Sequence, residues 1–174
     1  RFSYKIRSLI KHIARYLWDG LARISISDTP SNRVVLIKVD VVGDFVLWLG
    51  SARVLSNHFK GHEIILVANQ SVAELADKLD FFDQVLGIDL KAYENNWNYR
   101  YRTNRKLFQL GAKMAIQPTC SRNYVTGDAL VRATAANERV GSVGDLHLRT
   151  RWQRKVGDRW FTKLTDASET PLHE

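Results

Sequence analysis

The chain has 174 residues, of which 45% are hydrophobic and 10% aromatic. This composition suits one globular domain and excludes a disordered tail, and no apolar run approaches the roughly 20 residues of a membrane span. The net charge of +8 favours an anionic partner, such as nucleic acid, a phosphorylated sugar or a membrane surface. The single cysteine, Cys120, excludes an internal disulfide and a cysteine-rich zinc site.

The first segment, residues 1–26, is predicted to form a basic amphipathic helix. Its apolar residues recur at three- and four-residue steps, which places them on one helical face: Phe2, Ile6, Leu9, Ile10, Ile13, Leu17, Trp18 and Leu21. Basic residues flank this stripe: Arg1, Lys5, Arg7, Lys11 and Arg15. Two interpretations are open. Either the stripe packs on the domain and the basic flank is solvated, or residues 1–24 contact an anionic membrane surface.

After a turn-rich linker around Pro30, residues 33–144 alternate predicted strands and helices. The strands are predicted at 33–39, 63–68, 84–88, 113–117 and 139–143, and the helices at 45–57, 71–79, 99–110 and 123–135. Residues 33–39 are almost all apolar, which is typical of a strand buried on both faces of a parallel sheet. Repeated strand–helix–strand units predict a Rossmann-like, doubly wound α/β domain.

Residues 145–174 are predicted to be a polar tail that contains no further strand. Because the chain begins with Arg1 rather than methionine, we expect it to be a section of a longer protein. Cys120 carries no local signature of a nucleophile and is predicted to be a packing residue.

The loop after the first predicted strand carries the clearest chemical signal. Ligands of open parallel sheets bind outside the carboxyl ends of the strands, and this loop includes Asp40, Gly43 and Asp44. Gly43 would let the backbone approach a ligand closely, and Asp44 lies at or beside the start of the next helix. For an isolated Gly-Asp pair, a tight turn and a helix cap are the ordinary explanation.

The wider sequence resembles glycosyltransferase family 9, the ADP-heptose:lipopolysaccharide heptosyltransferases and their relatives. The resemblance is carried in chain order by VLIKVDVVGD (35–44), the helix FVLWLGSARVL (45–55) without the family's usual proline, EIILVA (63–68), FFDQV (81–85), AIQP (115–118) with Ser121 and Arg122, RVG (139–141) and PLHE (171–174). It covers residues 33–144 and the last four residues.

The resemblance implies the N-terminal half of a two-domain GT-B enzyme. This half would bind a lipopolysaccharide or another cell-surface glycan acceptor, and an absent C-terminal domain would bind the nucleotide sugar, ADP-heptose. The transfer would be inverting and would need no metal or other cofactor, with Asp44 as general base. An ionised carboxylate at a helix start can still accept the proton, because an oxocarbenium-like transition state acidifies the acceptor hydroxyl late. We also expect a cytoplasmic enzyme, with peripheral contact to the inner face of the cytoplasmic membrane through residues 1–24.

Gly43 is one candidate for acceptor binding, and three further residues are candidates that each have an ordinary alternative. Lys38, at the end of the first strand, would meet a phosphate, or would point into solvent. Asp40 would contact the acceptor, or would only orient the loop. Arg122, after the fourth strand, would bind an acceptor carboxylate or phosphate with both ends of its guanidinium, or would be a solvated loop arginine.

The alternative function is a non-catalytic Rossmann-like module that binds an anionic ligand or nucleic acid. Its support is a stretch in which basic and aromatic residues alternate: Tyr99, Arg100, Tyr101, Arg102, Arg105, Lys106 and Phe108. Such interleaving occurs in nucleic-acid-binding proteins, but a solvated helix face with a few inward aromatics is commoner. With the resemblance to family 9, we expect an anionic glycolipid acceptor rather than nucleic acid.

Overall fold

The computed structural model describes residues 2–24 and 32–166, which form an α/β fold. The elements in chain order are α1 (Phe2–Leu21), β1 (Arg33–Lys38), α2 (Val42–His58), β2 (Glu63–Asn69), α3 (Gln70–Ala76), β3 (Gln84–Ile88), α4 (Leu90–Asn95), α5 (Trp97–Gln109), β4 (Met114–Gln117), α6 (Gly127–Thr134), β5 (Glu138–Ser142), α7 (Arg151–Gly157), a 3₁₀ helix (Asp158–Trp160) and β6 (Lys163–Thr165).

The six strands form one parallel sheet in the order β3-β2-β1-β4-β5-β6. This is the strand order of the Rossmann doubly wound fold, so the predicted fold class is confirmed. The order reverses between β1 and β4, where Val35 pairs with Ala115 on one side and with Ile65 on the other. That point is the topological switch point of the sheet.

The sheet is buried on both faces, which explains the almost unbroken apolarity of its central strands. Val35 and Ile37 of β1 face one core layer together with residues of α5 and α6. Val34 and Leu36 face the other layer, which includes Phe45 and other residues of α2 and α3. Helices α2 and α6 therefore leave β1 and β4 on opposite faces of the sheet.

The prediction that residues 145–174 contain no further strand is wrong. Strand β6 extends the sheet, and Leu164 pairs with Gly141 of β5. It follows α7, whose start is fixed by a capping box between Thr150 and Gln153. Strand β6 has only three residues and lies at the edge of the sheet, so it carries too little apolar pattern to be recognised. Residues 171–174, which contribute to the family resemblance, lie outside the described part.

All four predicted helix starts differ from the structure, by one to four residues. Helix α2 begins at Val42, three residues before the predicted start, and this places Gly43 in its first turn rather than in a tight turn. Helix α3 begins at Gln70, one residue before the predicted start, and is capped by Asn69, whose side-chain oxygen accepts a hydrogen bond from the Ser71 N–H at 3.2 Å. A polar side chain at this position satisfies one of the free N–H groups of the helix start.

Helix α1 docks on the domain through polar and aromatic side chains, the latter including Tyr16 stacked on Trp160 and Trp18 edge-on to Trp97. The buried Asp19 carboxylate accepts hydrogen bonds from Nε and Nη2 of Arg100, each at 2.6 Å, and from Nδ2 of Asn104 at 2.8 Å. Arg15 donates to the Glu94 carbonyl at 2.6 Å. By contrast, Ile10, Ile13, Leu17 and Leu21 are all exposed. The interpretation in which the apolar stripe packs on the domain is therefore wrong for these residues.

The Asp19–Arg100 ion pair is expected to hold α1 in place. Replacing Asp19 with alanine would leave the Arg100 charge buried without a counterion, and breaking a buried pair typically costs about 3–5 kcal/mol. We expect the Asp19→Ala variant to lose hydrogen-exchange protection in α1 and to keep it in the sheet, because a helix at the surface can open without unfolding the rest of a domain. The exposed Asp80→Ala change is the matched control. Equal protection of α1 in both variants would contradict this assignment.

Candidate active site

A cleft of about 520 Å³ opens at the carboxyl edge of the sheet, at the switch point between β1 and β4. Its wall is formed by the end of β1, the first turns of α2, the loop after β4 and one residue of a later loop. The lining residues are Lys38, Asp40, Asp44, Leu47, Trp48, Ser51, Pro118, Thr119, Cys120, Ser121 and Leu148. A crevice is expected at this point, because the helices that follow the two strands leave on opposite faces.

The Asp40 carboxylate joins the two strand ends that border the cleft. Its Oδ2 lies 2.5 Å from Nζ of Lys38, at the end of β1. The same oxygen accepts a hydrogen bond from Oγ1 of Thr119, in the loop after β4, at 2.9 Å. Lys38 is 8% exposed and its Nζ lies 6.0 Å from the centre of the Trp48 ring. Lys38 is thus part of the cleft wall, and the alternative of a solvated lysine is wrong.

Asp44 lies in the first turn of α2 and is exposed to the cleft. The N-cap of this helix is Val41, and no side chain caps it, so the ordinary explanation of Asp44 as the cap is wrong. Across residues 2–24 and 32–166, no group forms a hydrogen bond or an ion pair with the Asp44 carboxylate. Asp44 therefore differs from the neighbouring Asp40, whose carboxylate is held by Lys38 and Thr119.

Gly43 precedes Asp44 in the exposed first turn of α2. A Cβ atom added to Gly43 would meet nothing within 4 Å, and its φ angle is not in the left-handed region. Neither backbone conformation nor crowding by the protein therefore requires glycine here. The space beside it is open to a ligand, which leaves its predicted role in acceptor binding as a prediction.

Arg122 does not reach the cleft, which corrects its predicted role in acceptor binding. Its side chain is fully buried, with Nε 3.1 Å from Asp128, Nη2 2.6 Å from Asp158 and Nη1 donating to the Ser142 carbonyl at 2.5 Å. The alternative of a solvated loop arginine is equally wrong. The partners come from α6 and the segment after α7, which a reading of the local sequence could not bring together.

Arg122 belongs to a buried cluster of two arginines and two aspartates. Arg149 lies 3.2 Å from Asp158 and 3.5 Å from Asp128, and its Nη2 donates to the Val143 carbonyl at 2.5 Å. The cluster fixes the loop after β4, which carries Thr119–Ser121, against the loop that carries Leu148. The cluster thus holds two loops of the cleft wall in place. It was not predicted, because none of its four residues belongs to a recognisable local sequence pattern.

Two carboxyls of this region have shifted pKa values. Burial raises the pKa of Asp128 to about 6, against the opposing charges of Arg122 and Arg149. At the rim of the cleft, the Ser121 hydroxyl donates to Asp145 at 2.7 Å and holds the pKa of that carboxyl below its ordinary value. Burial dominates for Asp128, and the hydrogen bond dominates for the exposed Asp145.

The basic residues of α5 do not form one continuous surface. Arg100 is buried against Asp19, whereas Arg102 and Lys106 are exposed. Cys120, predicted to be a packing residue, is instead exposed on the cleft wall. Within the described ranges, no group of three His, Cys, Asp or Glu residues is arranged to hold a metal ion.

Comparisons with protein-family models, with curated proteins and with solved structures find no match to this chain. The fold and the cleft by themselves define the class of the protein as a Rossmann-like α/β domain with a polar cleft at its switch point. The resemblance to glycosyltransferase family 9 stays a prediction.

The Asp128→Asn variant is expected to respond to pH differently from the wild type. Because the pKa of Asp128 rises from its ordinary 3.8 to about 6, the folded protein keeps a proton there that the unfolded chain releases. This proton stabilises the folded state increasingly as the pH falls below about 6. Between about pH 7 and pH 5, the wild type should gain about 1 kcal/mol in unfolding free energy relative to the variant. Urea titrations at both pH values measure this difference. A relative gain by the variant would show that Arg122 and Arg149 outweigh burial.

Proposed function

We propose that this chain is the acceptor-binding half of a glycosyltransferase of the heptosyltransferase type, with Asp44 as its general base. The enzyme transfers a sugar from a nucleotide-sugar donor, ADP-heptose, to a lipopolysaccharide or another cell-surface glycan, with inversion. The observation that carries the proposal is the Asp44 carboxylate, which has no partner among the described residues and lies on the wall of a cleft at the switch point of the sheet. The type of reaction, transfer of heptose from a nucleotide sugar, is proposed from the resemblance of the sequence to glycosyltransferase family 9.

The chemistry needs little from the acceptor side of the enzyme except a correctly placed base. The acceptor hydroxyl oxygen bonds to the anomeric carbon while the bond from that carbon to the nucleoside diphosphate breaks. The diphosphate leaves with the electron pair, and Asp44 takes the hydroxyl proton. A base must lie within hydrogen-bond reach of that proton. Asp44 is exposed in the cleft and has no competing partner among the described residues, so it is free to accept it.

Asp40 resembles Asp44 in type but is suited to a different role. Its Oδ2 already receives the Lys38 ammonium and the Thr119 hydroxyl. Because two donors already occupy that oxygen, it is less available to a substrate hydroxyl and is suited to be a rigid support. We assign Asp40 and Lys38 to holding the floor of the cleft in shape, and Asp44 to the proton transfer.

The charges of the cleft favour a hydroxyl-rich ligand over an anion. The lining carries two carboxylates, Asp40 and Asp44, and one ammonium, Lys38, so one cation against two anions leaves a formal charge of −1. Sugar hydroxyls can donate to carboxylates and can accept from the hydroxyls of Ser51 and Thr119. A phosphate would meet a cation that Asp40 already neutralises. The negative charge of the cleft argues against the alternative of an anion-binding, non-catalytic module. If the acceptor carries a phosphate, we expect that phosphate to lie outside the cleft.

The donor is assigned to a second Rossmann-like domain, as in the family that the sequence resembles. The described residues contain the single sheet of one such domain. Two substrates react efficiently only when both are held in one orientation. The proposal therefore requires the two-domain protein for catalysis, and it expects the present residues alone to bind acceptor but not to transfer sugar.

The Asp44→Asn variant of the two-domain protein is expected to lose about two to four orders of magnitude in the rate of transfer, because the carboxamide keeps the size of the side chain but cannot accept the proton. The assay follows heptose transfer from ADP-heptose to a deacylated lipopolysaccharide core.

The matched control is Asp77→Asn, the same exchange at an exposed carboxylate beyond the end of α3 and outside the cleft. We expect near wild-type rates for it. If the Asp44→Asn variant folds normally and transfers heptose as fast as Asp77→Asn, Asp44 is not the base.

A further inference from the structure

The outward face of α1 is an apolar surface with no partner among the described residues. Ile10, Ile13, Leu17 and Leu21 have exposed fractions of 59%, 51%, 63% and 47%, and Ile24 just beyond the helix has 72%. At 3.6 residues per turn, the four helical members fall within about a quarter of the circumference. They form one continuous stripe along the helix rather than scattered apolar residues.

The polar docking of α1 fixes the direction in which this stripe faces. Asp19 follows Leu17 by two residues, which is about 200° around the helix. Because Asp19 is held against the domain by Arg100 and Asn104, Leu17 and its neighbours on the stripe must point away from it. An amphipathic helix of a globular protein normally buries its apolar face, but α1 exposes these residues of that face and packs Trp18 against Trp97 and Tyr101.

We propose that the outward face of α1 binds the surface of an anionic lipid bilayer, with its apolar stripe at the boundary of headgroups and acyl chains. Charge complementarity supports this occupant. Residues 1–24 contain six basic residues, Arg1, Lys5, Arg7, Lys11, Arg15 and Arg23, and one acidic residue, Asp19. Asp19 is neutralised internally by Arg100, so the segment has no acidic group left to oppose anionic lipids.

The helix lies on the bilayer rather than across it. No described helix is long and apolar enough to cross a membrane, and an apolar stripe bordered by basic residues is the pattern of an interfacial helix. A second copy of the chain is a less suitable occupant. It would bring six more basic residues against the first six, on a protein whose net charge is already +8, and like charges repel.

The bound helix would keep the cleft near the lipid surface. The ring of Trp152 lies 5.5 Å from that of His12 on α1, and Trp152 follows the cleft-lining Leu148 by four residues. Both Leu148 and Trp152 are exposed. An acceptor glycan with a lipid anchor would then reach the cleft without leaving the membrane. This step rests on the proposed function, whereas the binding of α1 to lipid does not.

The test is co-sedimentation of the chain with two kinds of vesicle, phosphatidylcholine alone and phosphatidylcholine mixed with phosphatidylglycerol. Leu17→Glu places a charge in the stripe. Val54→Glu is the matched control, since Val54 is 68% exposed on α2 and the exchange changes the net charge equally. We expect the wild type and Val54→Glu to bind the mixed vesicles, and Leu17→Glu to bind at least about tenfold more weakly.

Three results would overturn the proposal. Equal binding by the two glutamate variants would show that net charge alone attracts the protein. Equal binding to both vesicle types would remove the role of anionic lipid. A wild-type dimer that Leu17→Glu converts to a monomer, seen by light scattering, would identify a second copy as the occupant. Hydrogen exchange of α1 in Leu17→Glu checks that the helix stays docked. None of these readouts depends on sugar transfer, so membrane binding and the proposed enzymatic activity can fail separately.

Discussion

The contact of Asp40 with both Lys38 and Thr119 holds together the two strand ends on which the candidate site depends. Strands β1 and β4 lie side by side, but their helices leave on opposite faces of the sheet. The reversal opens a crevice, and one carboxylate ties its two sides together. Helix α2 begins at Val42, two residues after Asp40. The position of Asp44 on the cleft wall therefore follows from the topology of the sheet and from one local ion pair.

The distribution of charge explains how a basic protein can have an acidic cleft. Arg100, Arg122 and Arg149 are buried, each against aspartates, and so contribute structure rather than surface potential. Lys38 is neutralised by Asp40. We therefore propose that the cleft binds sugar hydroxyls rather than an anion. We assign the attraction to anionic partners to basic residues elsewhere, above all those of the N-terminal segment, and propose lipid as the partner there.

Much of the fold could be predicted because buried parallel strands have a nearly unbroken apolar sequence. Strand β3 has the predicted bounds, and the strand-to-helix loop with Asp40 and Asp44 lies at the cleft as its position after β1 implied. Strand β6 was missed because three residues at a sheet edge show no periodicity. The role of Arg122 was missed because its partners lie far along the chain. The outward stripe of α1 depends on the Asp19–Arg100 pair, and no periodic pattern shows that an aspartate will face inward.

The most direct test of the central claim uses Cys120, the single cysteine, which is exposed on the cleft wall. Its rate of alkylation by a maleimide reports whether the cleft is occupied. The account predicts that a deacylated lipopolysaccharide core slows alkylation of the 174-residue chain, and that ADP at the same concentration does not. Protection by ADP and not by the core would contradict the account, because it would make the cleft a nucleotide site.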